Sequence, residues 1–291
     1  MGVYHARMAL DPALRTVLFG TAALGFVSGC LGTFAVLRRQ SLLGDAVSHA
    51  ALPGVVLAFL LFGKWTLILL LGAAASGLLA MLVVNGITRT SRIPFDTALA
   101  GALAVFFGAG LVFKSLTRGS GTAGIDRYLF GQAATLLVQD VWVIVGAGAV
   151  ALGILVAFWK EFKLITFDRE FAAGLGLPVG LLDALLTGLL VLGIVIGLES
   201  VGVVLMSALV VAPAAAARQW TNRLGVMAVL AGLFGALAGA TGTILSHELS
   251  EPGRRLPTGP TIVLCATVLV GVSFAWRYLR VVRWRGDGVV R

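Results

Sequence analysis

An aspartate and a histidine stand four residues apart inside an otherwise apolar run: Asp45 and His49. On a helix, this spacing places both side chains on one face, one turn apart. A carboxylate oxygen and an imidazole nitrogen together suit Mn(II), Zn(II) or Fe(II). The same pair could instead form a structural hydrogen bond that holds two helices together, or act as a proton relay. The spacing by itself leaves these three interpretations open.

Two side chains are too few to complete the coordination shell of a metal ion. Two copies of the chain related by a two-fold axis would supply two aspartates and two histidines, which is enough. A metal site built on Asp45 and His49 therefore predicts a dimer. Pro53 follows four residues after His49 and lacks a backbone N–H, so we expect the helix to kink here.

The composition shows which elements must position this pair. Of the 291 residues, 59% are hydrophobic and 12% are charged, and the mean hydropathy is +1.01. Soluble domains carry about 25% charged residues, so this chain belongs in a membrane. The net charge of +9 does not indicate nucleic-acid binding, because the basic residues lie in short loops and at the C-terminus, where membrane topology places them.

Nine apolar runs come close to the roughly 20 residues that a membrane span needs. They predict an all-α polytopic membrane protein of about eight or nine transmembrane helices, with residues 1–291 forming one transmembrane domain. The sixth and seventh runs, divided only by Glu199 and Ser200, could be one long broken helix. The predicted spans are 14–37, 42–62, 66–87, 96–116, 140–159, 181–198, 200–217, 224–245 and 259–279.

The distribution of basic residues predicts the orientation. If the C-terminus is cytoplasmic, 14 of the 22 Lys and Arg residues lie on the inner side. This bias favours an N-terminus outside and a C-terminus inside.

Small and charged residues within the runs carry further expectations. Gly25 and Gly29 lie four apart, a spacing that lets helix backbones approach closely, and we expect them to pack within the chain. Asp183 is expected near the inner end of its span. His247 and Glu248, in the predicted outer loop, are either an entry contact for a metal ion or part of a solvated loop.

Residues 160–180 form a charged stretch on the predicted cytoplasmic side. Asp168 is expected to cap a short helix that begins at Arg169 and that Gly176 and Pro178 terminate. The stretch is either an ordinary interfacial helix or a docking site for a cytoplasmic partner.

Two motifs that would indicate an enzyme are missing from the sequence. No G-x-x-x-x-G-K-[ST] phosphate loop occurs, so any ATP that drives this protein must bind to another chain. The zinc-protease motif H-E-x-x-H is not completed at His247, because Glu251 stands where the second histidine would be. We therefore expect neither catalysis nor a cofactor in this chain.

Four stretches resemble the permease subunits of bacterial ABC importers for manganese, zinc and sometimes iron, the metal-type ABC-3 family. They follow the family's order and extend over almost the whole chain, and the first is the most specific. In chain order they are LRRQSLLGDAVSHAALPGVVLAFLL, TFDREFAAGLGLP, VGVVLMSALVVAPAAAARQW and PTGPTIVL.

The resemblance implies a fold similar to the permeases of the cobalamin importer type and a homodimer in the bacterial inner membrane. It also implies a separate ATP-binding subunit on the cytoplasmic face and a metal-loaded solute-binding protein on the outer face. The segment that couples such permeases to their ATPase corresponds to Phe167, Asp168, Arg169, Glu170, Phe171, Gly174, Gly176 and Pro178.

The resemblance also bears on the transported ion. The metal gate of the family corresponds to Asp45 and His49 of this sequence. The first motif is more similar to the manganese branch than to the zinc branch, which favours Mn(II) over Zn(II) or Fe(II). A proton-coupled secondary metal transporter is the alternative.

Overall fold

The computed structural model describes residues 12–63, 65–116, 136–250 and 256–287, and these residues form helices without any strand. We number the helices in chain order. They are α1 (Pro12–Leu37), α2 (Leu43–Ala50), α3 (Leu52–Phe62), α4 (Thr66–Thr90), α5 (Phe95–Leu116), α6 (Val138–Ala157), α7 (Trp159–Phe167), α8 (Arg169–Gly174), α9 (Val179–Val201), α10 (Val203–Arg218), α11 (Leu224–Glu248) and α12 (Thr258–Asp287).

Eight helical stretches in the described part of the chain are long and apolar enough to cross a membrane. One of them is the pair α2 and α3, which is read as a single span of 20 residues. A ninth apolar helix, α10, has only 16 residues. The predicted class, an all-α membrane protein with about eight or nine transmembrane helices, is confirmed.

Two helix breaks modify the predicted spans. The second span is divided between α2 and α3 at Ala51, two residues before Pro53, although the backbone of Ala51 keeps helical angles (φ −69°, ψ −25°). The break between α9 and α10 lies at Gly202, whose φ is 88°, and not at Glu199 and Ser200. The helix continues through Glu199 and Ser200 and ends at Gly202, because glycine adopts positive φ without steric cost.

The centre of the bundle is an antiparallel pair, α1 and α11. Gly25 lies directly against Gly235, and Gly29 lies against Ala231. Near one end of this seam the hydroxyl groups of Thr21 and Thr243 are 2.9 Å apart and share a hydrogen bond. The expected packing of the small residues within the chain is therefore observed.

One end of the bundle, which we call the arginine face, collects the basic ends of the helices. A cavity of about 460 Å³ there brings together the end of α1, the end of α4, the start of α5, α8 and the start of α9. The ends of α10 and α12 meet at the same face, where Arg277 donates a hydrogen bond of 2.9 Å to Gln219. The start of α1 and the end of α11 lie at the opposite face.

The seam between α1 and α11 predicts a sharp difference between two glycine positions. A methyl group at Gly29 would overlap the backbone of Ala231, whereas Gly101 on α5 has no neighbour within 4 Å of such a group. Gly29→Ala should therefore destabilise the protein by about 1–3 kcal/mol or more. Gly101→Ala should be neutral or stabilise it by up to about 1 kcal/mol. Thermal unfolding of the purified variants in detergent measures both, and equal melting temperatures would contradict the close approach.

Candidate metal centre

Asp45 and His49 both lie on α2, and their side chains point to the same side of it. The distance between Nε2 of His49 and Oδ1 of Asp45 is 3.4 Å, longer than an ordinary N–H···O hydrogen bond of about 2.7–3.2 Å. Because both residues belong to one short helix, their contact does not join two helices. The geometry therefore does not support the interpretation of this pair as a structural hydrogen bond between two helices.

The separation of these two atoms suits a shared ligand. Metal ions bind imidazole nitrogen and carboxylate oxygen at about 2.0–2.2 Å. Two such bonds at a tetrahedral angle place the donor atoms about 3.4 Å apart, and a right angle places them about 3 Å apart. The observed 3.4 Å between Nε2 and Oδ1 therefore allows both atoms to bind one ion without a change of rotamer.

Two neighbouring helices place the pair near the middle of the membrane. Ser76, the eleventh of the 25 residues of α4, donates a hydrogen bond of 2.6 Å to the carbonyl oxygen of Ala50. Phe107, just past the midpoint of the 22-residue α5, packs its ring against the imidazole of His49 with a centroid distance of 4.7 Å. Since α4 and α5 each span the bundle, His49 lies at about mid-depth.

The pair is accessible from outside the single chain. The side chain of Asp45 is 42% exposed and that of His49 is 22% exposed. A carboxylate facing hydrocarbon at mid-depth costs about 2.5–3.5 kcal/mol on the insertion scale. The exposed side of Asp45 therefore must face a polar pathway or a second protein chain.

His49 also has an unsatisfied nitrogen on its other side. Nδ1 is buried and has no hydrogen-bond partner in the described part of the chain, which is unusual for a buried polar atom. Among the described residues no group of three or more His, Cys, Asp or Glu side chains could hold a metal ion. Asp45 and His49 therefore stand together without a third such side chain among the described residues.

The predicted coupling segment folds as α7, α8 and the turn before α9. Asp168 caps α8, since its carboxylate accepts a hydrogen bond of 2.9 Å from the N–H of Phe171. Gly176 has a φ of 79°, which ends the helical path, and Pro178 precedes α9. The capped helix is therefore present as predicted. Exposed residues of the segment include Phe167, Phe171 and Leu175, together with Glu170 and Gly174.

His247 and Glu248 are the last two residues of α11, at the face opposite the arginine face. Both are exposed. Residues 251–255 of the adjoining loop lie outside the described residues, and so does the side chain of Glu199. The structure does not bring His247 and Glu248 together with Asp45 and His49.

Asp183 has a larger structural role than its sequence position indicated. It lies near the start of α9 at the arginine face, where it is buried and its two carboxylate oxygens form ion pairs with Arg38 and Arg169. Burial lowers the pKa of the Arg38 guanidinium, and the charge of Asp183 acts in the opposite direction. The three residues are distant in sequence, so no local pattern could have revealed the cluster.

The described helices form an all-helical membrane bundle, with Asp45 and His49 side by side at about mid-depth. The family model of the ABC 3 transport family matches residues 11–277. The chain belongs to this family. The resemblance noted in the sequence is thereby confirmed.

Relatives and one solved structure agree with this assignment. The chain is 50% identical over 276 residues to the zinc transport system membrane protein TroC of Treponema pallidum, covering 92% of this chain and 91% of TroC. It is 47% identical over 262 residues to the manganese transport system membrane protein MntC of Bacillus subtilis, covering 89% of this chain and 59% of that protein. PsaBC from Streptococcus pneumoniae in complex with Fab superposes with a TM-score of 0.82 at 31% identity, covering 94% of this chain and 95% of the other.

Phe107 is expected to orient the imidazole of His49. Removal of the ring by Phe107→Ala takes away the contact that packs against the imidazole of His49, so the metal affinity should fall. The KM for metal uptake should rise accordingly, and Phe107→Leu should retain most of the affinity. Phe106→Ala, one residue away in an apolar groove between α3, α4 and α5, is the matched control. Equal KM values for the two alanine variants would contradict this role.

Proposed function

We propose that this chain is the permease subunit of an ATP-driven importer that moves a divalent metal ion across the bacterial inner membrane. The observation that supports this most directly is the mid-depth pair of Asp45 and His49, with its carboxylate exposed at the surface of a single chain. Function is the default interpretation of an ionisable pair at that depth.

In the proposed assembly, two copies of the chain face each other across the pathway. Each copy contributes Asp45 and His49, so the ion meets two carboxylates and two imidazoles at a two-fold axis. The second copy also explains why the exposed part of Asp45 does not contact lipid. In this proposal the chain needs no cofactor, because the metal ion is the transported substrate.

The energy source in this proposal is a separate ATP-binding subunit at the arginine face. The chain has no phosphate-binding loop, and the exposed side chains of Phe167, Phe171 and Leu175 provide an apolar surface next to charged residues. The excess of arginine at this face supports a cytoplasmic location for it by the positive-inside rule, with the N-terminus outside. A solute-binding protein would deliver metal to the opposite face, where His247 and Glu248 lie.

Mn(II) is the proposed cargo, with Zn(II) and Fe(II) as alternatives within the same function. Carboxylate oxygens favour Mn(II) and imidazole nitrogens favour Zn(II), so a set of two Asp and two His is balanced between them. TroC, named for zinc, and MntC, named for manganese, have similar identities to this chain. The first sequence motif, which is more similar to the manganese branch, tips the proposal towards Mn(II).

Loss of either ligand should abolish transport. Asp45→Ala or His49→Ala, reconstituted with the ATP-binding subunit and the binding protein in liposomes, should reduce ATP-dependent uptake of Mn(II) at least 100-fold, because the shell falls from four ligands to two. Uptake by the wild type in competition between Mn(II) and Zn(II) identifies the cargo.

His247→Ala tests the other candidate contact separately, since His247 is exposed at the end of α11, on the opposite face. If uptake at limiting metal concentration falls in this variant, His247 is an entry contact for the metal ion. If uptake is unchanged, His247 belongs to a solvated helix end. Wild-type transport by both Asp45→Ala and His49→Ala would disprove the site. Uptake by the wild-type chain alone, without nucleotide, would support the proton-coupled alternative.

The exposed face of α8 should bind the ATP-binding subunit. Phe171 is 56% exposed on that helix, and Phe171→Asp places a charge where an apolar contact is proposed. Co-purification of the ATP-binding subunit should fall at least tenfold. Leu249→Asp, a similarly exposed position after the end of α11, is the control and should leave co-purification unchanged. Equal losses in both variants would show that general destabilisation, and not docking, is responsible.

A further inference from the structure

A single buried carboxylate holds two arginines together at the arginine face. One oxygen of Asp183 pairs with Arg38 and the other with Arg169. The side chains of Arg38 and Asp183 are only 8% and 11% exposed, whereas that of Arg169 is 54% exposed. The cluster therefore extends from the protein interior to the surface of the cavity.

The three residues belong to three different elements. Arg38 follows directly after α1, Asp183 is the fifth residue of α9, and Arg169 is the first residue of α8. Within α8, Phe171 and the following turn are exposed, while Ala172 is buried against the bundle. Asp183 is thus the point where the exposed helix α8 is tied to the core by charge.

A tight turn connects Arg38 to the helix that carries the metal ligands. The N–H of Gln40 donates to the carbonyl of Ala35 at 2.8 Å, and the N–H of Arg39 donates to Val36 at 3.2 Å. This is the Schellman pattern, in which the residue after the helix takes positive φ. Arg39 does so with a φ of 58°. Only six residues, those of this turn and the start of α2, lie between Arg38 and Asp45.

The charges in this cluster cannot part without penalty. If Arg38 moved away from Asp183, each would be left as an unpaired charge in a buried place, which is strongly unfavourable. The Nη1 atom of Arg38 has no partner in the described part of the chain, and Asp183 is the acceptor for Nη2. Movement of α9 away from the end of α1, or of α8 away from α9, would therefore break one of these ion pairs.

We infer that Asp183 is a positioning residue that couples α8 to α2, so that a push on the exposed segment displaces the helix bearing Asp45 and His49. This rests on the proposed function, in which an ATP-binding subunit docks on α8. Asp183 does not touch the metal ion in this mechanism. It makes the end of α1, α8 and the start of α9 move as one body.

The number of metal ions transported per ATP hydrolysed tests this role. Asp183→Asn, in complexes reconstituted with the ATP-binding subunit and the binding protein, should keep ATP hydrolysis within about twofold of wild type and lower Mn(II) uptake per ATP at least tenfold. Asp183→Glu should recover part of the ratio, since the charge is retained. Asp96→Asn removes a carboxylate from the same cavity at an exposed position, and should leave the ratio unchanged.

A second variant separates coupling from folding. Asp183→Asn alone leaves Arg38 buried without its partner, and the protein could fail to assemble. The double variant Arg38→Gln with Asp183→Asn removes both charges, so the net charge of the cluster stays the same and no buried guanidinium is left unpaired. It should assemble as a monodisperse complex and still show the tenfold loss of uptake per ATP.

Wild-type uptake per ATP in the double variant would overturn the inference, since the ion pairs would then be structural only. So would an equal loss in Asp96→Asn, which would show a general effect of cavity charge. Failure of the proposed function is a different result: the wild-type complex itself would then take up no metal on addition of ATP.

Discussion

An ionised side chain that is left against hydrocarbon loses its hydration and gains nothing in return, and this constraint determines where the charges of the bundle lie. The described helices place most of their arginines at one end, in the cavity and turns of the arginine face. Asp183 and Asp45 satisfy this constraint in opposite ways. Asp183 is closed off by two guanidinium groups. Asp45 is left open towards the surface of the chain, with one histidine beside it.

The open pair depends on helices that approach closely elsewhere. Glycines in α1 and α11 let their backbones touch, and Gly54 on α3 packs against Gly72 on α4 in the same manner. The second of these contacts lets α4, which flanks α2, approach α3 closely without large side chains between them. Ser76 and Phe107 can then reach the short helix at mid-depth from α4 and α5. Close packing of small residues between α3 and α4 therefore helps to hold the polar pair on α2 in place.

Features set by local sequence could be predicted, and features set by distant contacts could not. The shared face of Asp45 and His49 follows from helical geometry, and the cap at Asp168 follows from the preference of aspartate for helix N-termini. The apolar runs predicted the number of helices because the membrane requires a minimum length. The charged residue Glu199 predicted a helix break at Glu199 and Ser200. The break lies instead at Gly202, because glycine adopts the positive φ found there. The ion pairs of Asp183 join residues 145 and 14 positions away, and no periodic pattern encodes such a contact.

A site divided between two chains has a property that a complete site in one chain lacks. Its affinity depends on the distance between the two copies of α2, because each copy holds only two of the four proposed ligands. A displacement of about 1 Å per helix is large compared with the tolerance of metal–ligand bonds, which vary by about 0.2 Å. Small rigid-body movements of the helices are therefore sufficient to convert a binding geometry into a releasing one. In the proposed function, the pair of Asp45 and His49 would make metal affinity depend on helix position, and the ion pairs of Asp183 would make helix position depend on α8.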